Sequence, residues 1–166
     1  MKKATHHEKP TMRTDEWLTP PGIIEALGPF DLDPCSPVTR PWNTAILHYN
    51  IYDNGLSKEW AGRVWCNPPY GKDIGRWLSK MAGHNNGTAL IFCRTDSAWF
   101  QEYVFKKASA AFFLQGRIKF YTVAGRQAQK SPGTGSVLVS YGMDDYYKLM
   151  KLPYPGFFID LIHYHF

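Results

Sequence analysis

The most regular hydrophobic spacing in the chain is at Ile74, Trp77, Leu78 and Met81, which recur at i, i+3, i+4 and i+7 and predict a helix with one apolar face. Short apolar runs flank it, residues 63–66 before and 89–93 after, of a length that suits buried strands. The alternation continues downstream. Trp99, Phe100, Tyr103 and Val104 mark another helix, with Lys106 and Lys107 at the end where the helix dipole favours cations. Ala110–Leu114 and Ser136–Tyr141 read as strands, and so do residues 117–121. Upstream, Ile23, Ile24 and Leu27 share one face of a helix over residues 20–27, with prolines in its first turn and Gly28-Pro29 to stop it. Residues 30–33 form a short strand candidate ended by Pro34, and residues 46–52 a weaker one. Residues 122–135 are a polar, basic, glycine-containing loop, and residues 142–166 are aromatic without a clear period.

Strand, helix, strand, helix, strand is the order of an α/β layered domain, with a mostly parallel central sheet and helices on its faces. Ligands in such sheets bind outside the carboxyl ends of the strands. Residues 67–70 and Arg94-Thr95-Asp96 occupy such places. A length of 166 residues suits one domain, expected over residues 14–166 behind a loose tail at 1–13.

Composition narrows the classes. Apolar residues at 44% and charged residues at 20% exclude a disordered or fibrous chain, while 16% aromatic residues supply unusual stacking surface. No apolar run approaches the roughly 18 residues of a membrane span. The polar N-terminus lacks the apolar segment of a secretory signal, so a cytoplasmic protein is the expectation. Cys35, Cys66 and Cys93 are odd in number and far apart, and no histidine stands at ligand spacing from them, so neither a disulfide framework nor a metal is expected. The net charge of +5 is unevenly spread: residues 58–130 hold twelve Lys and Arg against four acids, and the remainder is net acidic. A basic stretch of this kind suits nucleic acid, although a solvated basic face has the same composition.

The sharpest feature is Asn67-Pro68-Pro69-Tyr70, which directly follows an apolar strand. Two consecutive prolines fix φ and remove two backbone donors, leaving the carbonyls of Asn67 and Pro68 without a local partner. An Asn side-chain oxygen and an adjacent carbonyl can then both accept from one planar amino group, freeing its lone pair for nucleophilic attack. Tyr70 offers a stacking face for the ring that bears the amine. The plain alternative is a strand-ending turn with a core tyrosine.

These residues carry a family resemblance. Asn67 to Tyr70 resembles the signature of S-adenosylmethionine-dependent amino-methyltransferases, and the chain as a whole resembles the short, phage-type DNA N-6-adenine methyltransferases, the Dam-like family. Supporting pieces are Glu16-Trp17-Leu18-Thr19-Pro20-Pro21, then Phe30-Asp31-Leu32-Asp33-Pro34-Cys35-Ser36, Asp53-Asn54-Gly55-Leu56, and Gly116-Arg117-Ile118-Lys119-Phe120. Together they span about residues 15–141. The resemblance implies a Rossmann-like methyltransferase fold, S-adenosylmethionine as cofactor, double-stranded DNA as partner, and a monomer or weak dimer.

It also implies roles. Asn67, Pro68, Pro69 and Tyr70 are the catalytic candidates. Thr19 and Pro20 would lie at the methionine end of the cofactor, although Thr19 suits a helix cap equally. Asp31, Asp33, Pro34 and Cys35 would form the cofactor loop, with Asp33 the better of the two acids and Cys35-Ser36-Pro37 in place of the usual glycines. Asp53 resembles the acid that meets the cofactor's adenosine, or serves an Asp-Asn-Gly turn. Lys72, Arg94, Arg117, Lys119, Arg126 and Lys130 are candidate DNA contacts. The expected activity is methyl transfer to the exocyclic amine of a flipped adenine, in a phage-encoded enzyme that protects DNA from host restriction. An amino-methyltransferase acting on RNA or on a protein glutamine is the first alternative, and a non-catalytic nucleic-acid-binding module the second.

Overall fold

The computed structural model describes residues 16–162, so the tail expected at 1–13 and the two ends of the expected domain lie outside the described residues. The elements run α1 (Pro21–Leu27), β1 (Leu32–Asp33), β2 (Leu47–His48), β3 (Val64–Cys66), α2 (Ile74–His84), β4 (Gly87–Phe92), α3 (Ala98–Phe100), β5 (Ala110–Leu114), β6 (Ser136–Tyr141), α4 (Met143–Met150) and β7 (Gly156–Asp160). A π-helical turn, Gln101–Phe105, extends α3. The seven strands form one sheet in the order β2-β1-β3-β4-β6-β5-β7.

Alternation along the strands sorts the core into two layers, because successive side chains point to opposite faces. Val64, Cys66, Ala89, Ile91, Val137 and Val139 face α2 and the α3 segment, meeting Ile74, Trp77, Leu78, Met81, Phe100 and Val104. Trp65, Leu90, Phe112 and Leu138 face the other way, onto Ile23, Ile24 and Leu27 of α1 and Leu149 of α4. The i, i+3, i+4, i+7 stripe of α2 is therefore the stripe that is buried. The result is a three-layer α/β/α sandwich.

The expectation of a mostly parallel sheet is met on one side and corrected on the other. β1 pairs in parallel with β2 and β3, and β3 with β4. β6 then runs antiparallel to both β4 and β5, and β7 antiparallel to β5. The first five strands thus share one direction, while β6 and β7 oppose it. The physical reason is the connection: β6 follows β5 through a loop without a helix and so turns back beside it, and α4 then carries the chain across β5 to β7, which keeps the direction of β6 and therefore opposes β5.

Two local expectations change. Residues 117–121 form no strand; only Tyr121 bridges, to Leu18 on one side and Gln127 on the other. Residues 142–162, read without an assignment, build α4 and β7. A buried ion pair joins α4 to the sheet. Asp145, fully buried, accepts from Arg63 Nε at 2.9 Å and from its terminal nitrogen at 2.8 Å, and Thr88 donates to the same carboxylate.

Candidate active site

β1, β3, β4 and β5 end on one rim of the sheet, and the segments leaving them carry most of the described residues expected to act. β3 runs into Asn67-Pro68-Pro69-Tyr70 there. Asn67 is half-buried, and its Nδ2 donates to the Trp17 carbonyl at 3.1 Å, with Thr19 Oγ1 at 3.5 Å. This fixes which end of the amide faces inward. Asn67 Oδ1 is left buried without a hydrogen-bond partner. Since an unpartnered buried acceptor is costly, its position is one that a donor from outside the chain would relieve.

The backbone of the motif differs from expectation in one respect. The Asn67 carbonyl accepts from the Cys35 thiol at 3.3 Å, so only the Pro68 carbonyl is free among the described residues. Burial pushes the Cys35 thiol well above its ordinary pKa, which keeps it a donor, and its sulfur lies 3.8 Å from that of Cys66. Tyr70 is 39% exposed, with one ring face stacked on Phe92 at the end of β4, centroids 3.9 Å apart and planes 10° from parallel. That contact fixes the ring as a platform whose other face is open for stacking.

The loop after β1 is built on Asp33. Its carboxylate, 4% exposed, accepts from the Cys35 N–H at 3.1 Å and from the Thr44 hydroxyl. Burial raises its pKa to about 6, against the lowering effect of those hydrogen bonds and of Arg40. Asp33 on its own therefore favours the folded chain below pH 3.8 and withdraws that contribution as pH rises through about 6. Among the described residues the buried carboxylate has no ion-pair partner in contact, and Arg40 acts on it only through space. Pro34 is buried under the next loop: a Cβ on Gly55 would stand 2.0 Å from the Pro34 carbonyl oxygen, so only glycine permits this approach. Asp53 sits on that second loop, half-buried, its carboxylate accepting from the Asn50 N–H at 2.9 Å to close a turn.

Not every candidate converges. Asp31 precedes β1 and lies at the opposite end of the strands, its carboxylate accepting from the Arg63 N–H at 2.6 Å. Thr19 is buried and makes no cap; Pro20 occupies the N-cap position of α1, without a side-chain cap hydrogen bond, and the Thr19 hydroxyl turns to Asn67 instead. Pro20 closes the first turn through its carbonyl, which accepts from Ile23 N–H at 3.1 Å. The six basic candidates are all exposed and all on the rim: Lys72 beyond β3, Arg94 beyond β4, and Arg117, Lys119, Arg126 and Lys130 on the segment between β5 and β6. Arg117 is tied down by a hydrogen bond to the Pro132 carbonyl at 2.8 Å.

The geometry adds residues the sequence reading had not placed in the site. Trp17 contributes only a backbone carbonyl, invisible to any residue-type argument, and it is held by the Leu18–Tyr121 bridge, with N···O distances of 2.8 and 2.9 Å. Thr44 and Phe92 act through partners 11 and 22 residues away in the chain, Asp33 and Tyr70. Aromatic content at a strand end was the only available signal for Phe92.

No curated protein and no solved structure matches this chain. The family model for DNA N-6-adenine-methyltransferase (Dam) matches residues 6–148, which include the Trp17–Thr19 segment, the loop on Asp33, Asn67 to Tyr70 and the basic rim. With that match over most of its length, the chain belongs to the DNA N-6-adenine-methyltransferase (Dam) family.

Proposed function

We propose that the protein methylates N6 of an adenine turned out of duplex DNA, using S-adenosylmethionine, in a Rossmann-like methyltransferase domain. The observation that carries this reading is the orientation of Asn67: its Nδ2 is engaged by Trp17, and its Oδ1 is buried and free. Oδ1 and the Pro68 carbonyl accept the two protons of the N6 amino group, which localises the nitrogen lone pair. Tyr70, backed by Phe92, stacks on the base. When bound, S-adenosylmethionine supplies an electrophilic methyl carbon. Held by those two acceptors, the amino nitrogen would be aimed at that carbon, and the proton lost on methylation would leave by way of the Asn67 and Pro68 oxygens to solvent. A paired adenine cannot reach the rim, so the base leaves the stack, at a cost of a few kcal/mol. Asp33 and the loops carrying Cys35 and Asp53 are the residues that would hold the cofactor.

The direct test is transfer of labelled methyl from S-adenosylmethionine to unmethylated DNA, with RNA and protein in parallel and nucleoside analysis of the product. N6-methyladenine is expected; label only in RNA or protein overturns the reading. A phage-encoded mark against host restriction is the biological extension, and it is checked by whether DNA treated with the enzyme resists a methylation-sensitive nuclease.

Two further results are expected. DNA affinity falls steeply with salt, by roughly 10³-fold between about 50 and 200 mM if all six basic residues meet phosphates. Replacing Arg126 and Lys130 with Ala lowers the log–log slope by about 2, as measured by fluorescence anisotropy. An unchanged slope removes the 122–135 loop from the DNA interface. Cofactor affinity depends on pH through Asp33. A cationic ligand favours the ionised carboxylate, so affinity rises with pH through about 6, and Asp33→Asn flattens the profile in titration calorimetry. A profile the variant does not alter separates Asp33 from the cofactor.

A further inference from the structure

The rim that carries the Tyr70–Phe92 stack also holds an open cleft of about 340 Å³, between the start of α1, the end of β5 and the start of β7. Ile23, Leu114 and Ile118 form its apolar floor, and all three pack into the same core layer as Phe92. Gln115, Arg117, Lys119 and Gln127 stand around that floor, all of them exposed. Among the described residues no acid lines the cleft. Its wall is set by the backbone: the Gln115 N–H donates to the Pro155 carbonyl at 2.9 Å, which ties the end of β5 to the segment entering β7. Arg117 is held by the Pro132 carbonyl, whereas the side-chain amides of Gln115 and Gln127 have no hydrogen-bond partner among the described residues.

Two observations fix how far the cleft lies from the site of methylation. Phe92 stands opposite Ser136 and Phe113 opposite Val137, so the ends of β4 and β5 lie level on either side of β6. That is two strand spacings, ~10 Å, from the ring that backs Tyr70 to the floor of the cleft. Pro20, at the edge of the cleft, directly follows Thr19, whose hydroxyl lies 3.5 Å from Asn67 Nδ2. At ~3.4 Å of helix per nucleotide, a separation of ~10 Å corresponds to about three base steps.

We propose that this cleft is a specificity site that reads an A·T pair about three steps from the target base, with Gln115 and Gln127 as the reading residues. The inference rests on the DNA reading above and deepens it. A carboxamide presents a donor and an acceptor side by side, which match the N7 acceptor and the N6 donor of adenine in the major groove. The apolar floor receives the methyl group of the thymine opposite. A G·C pair lacks that methyl and sets O6 where the amine stands, leaving the amide oxygen without a donor. Arg117 and Lys119 meet phosphates beside the pair, which positions the duplex without reading it.

The experiment presents the full-length wild type and its Gln115→Ala, Gln127→Ala, Arg117→Ala and Lys119→Ala variants with duplexes randomised on both sides of one adenine, and sequences the methylated products. In the wild type, one position about three steps from the methylated adenine is expected to favour A·T over G·C by about tenfold or more. In at least one glutamine variant that preference should shrink to about threefold or less, with the preferences at other positions kept. Both glutamines are exposed, so the melting temperatures of their variants should match the wild type. Lys119→Ala should weaken binding to all sequences alike. A wild type without a preference at that distance overturns the proposal, as does a preference that both glutamine variants keep or a loss spread evenly over all positions. A preference there for G·C that Arg117→Ala or Lys119→Ala abolishes also overturns it, because a cation would then be reading guanine. If the wild type methylates no DNA adenine at all, the functional reading falls and this proposal with it; an active wild type indifferent to that position removes only the proposal.

Discussion

Asn67→Ala is expected to lower kcat by about 10²–10³-fold or more while leaving the melting temperature and S-adenosylmethionine binding close to wild type. The substitution removes the buried Oδ1 acceptor and the donor that meets Trp17, yet touches no core layer. Asn67→Asp separates the two effects. It keeps an acceptor toward the amine but sets a carboxylate oxygen against the Trp17 carbonyl, 3.1 Å from the present Nδ2. Its activity should fall between those of Asn67→Ala and the wild type, because the acceptor survives without its orienting bond. Single-turnover methyl transfer measures the chemical step directly. Full activity in Asn67→Ala would remove the motif from catalysis, whatever the family match.

The second large effect lies at the other end of the sheet. Asp145→Ala is expected to destabilise the fold by about 3–5 kcal/mol, since it leaves the Arg63 guanidinium in the interior without its counter-charge. For a chain of this size that corresponds to a fall in melting temperature of roughly 6–20 °C, read from thermal unfolding. Arg63 would keep two weaker contacts, a hydrogen bond to the Pro29 carbonyl at 2.8 Å and the Phe30 ring 3.9 Å from its guanidinium carbon. Neither replaces the two-point carboxylate contact. The double variant Arg63→Met/Asp145→Leu should recover much of the loss, because an apolar pair carries no desolvation penalty. Arg63 precedes β3 at the end away from Asn67, so Asp145→Ala should retain methyl transfer at temperatures where it remains folded. A wild-type melting temperature in Asp145→Ala would show that the ion pair contributes nothing net.

These two sites differ in how far the sequence exposed them. Asn67-Pro68-Pro69-Tyr70 is legible because its chemistry is local: two prolines dictate the backbone, and the side chains on either side supply an acceptor and a ring. The Arg63–Asp145 pair is not legible, since its partners lie 82 residues apart. Its burial also hid α4. Asp145 and Leu149 point inward while Met143, Tyr147 and Met150 are 46%, 50% and 45% exposed, the reverse of an amphipathic pattern. β7 was obscured in a similar way, with Phe157 71% exposed on an edge strand. Residues 117–121 misled for the opposite reason. Their alternation is genuine, with Phe120 buried and Lys119 exposed, but no neighbouring strand supplies a ladder beyond Tyr121.

The sequence by itself determined the layered α/β alternation, the α2 stripe and the Asn67-Pro68-Pro69-Tyr70 turn with its candidate chemistry, because periodicity and proline geometry act over a few residues. Tertiary structure alone decided the rest. It chose which end of the Asn67 amide faces inward, because the carbonyl that holds it comes from Trp17, 50 residues earlier. It enclosed Asp33 and so raised its pKa to about 6, because desolvation depends on everything packed around a group and not on its neighbours in the chain. It also gathered six basic side chains from three segments on one rim, since strands that share a direction bring their ends together however far apart they lie in sequence.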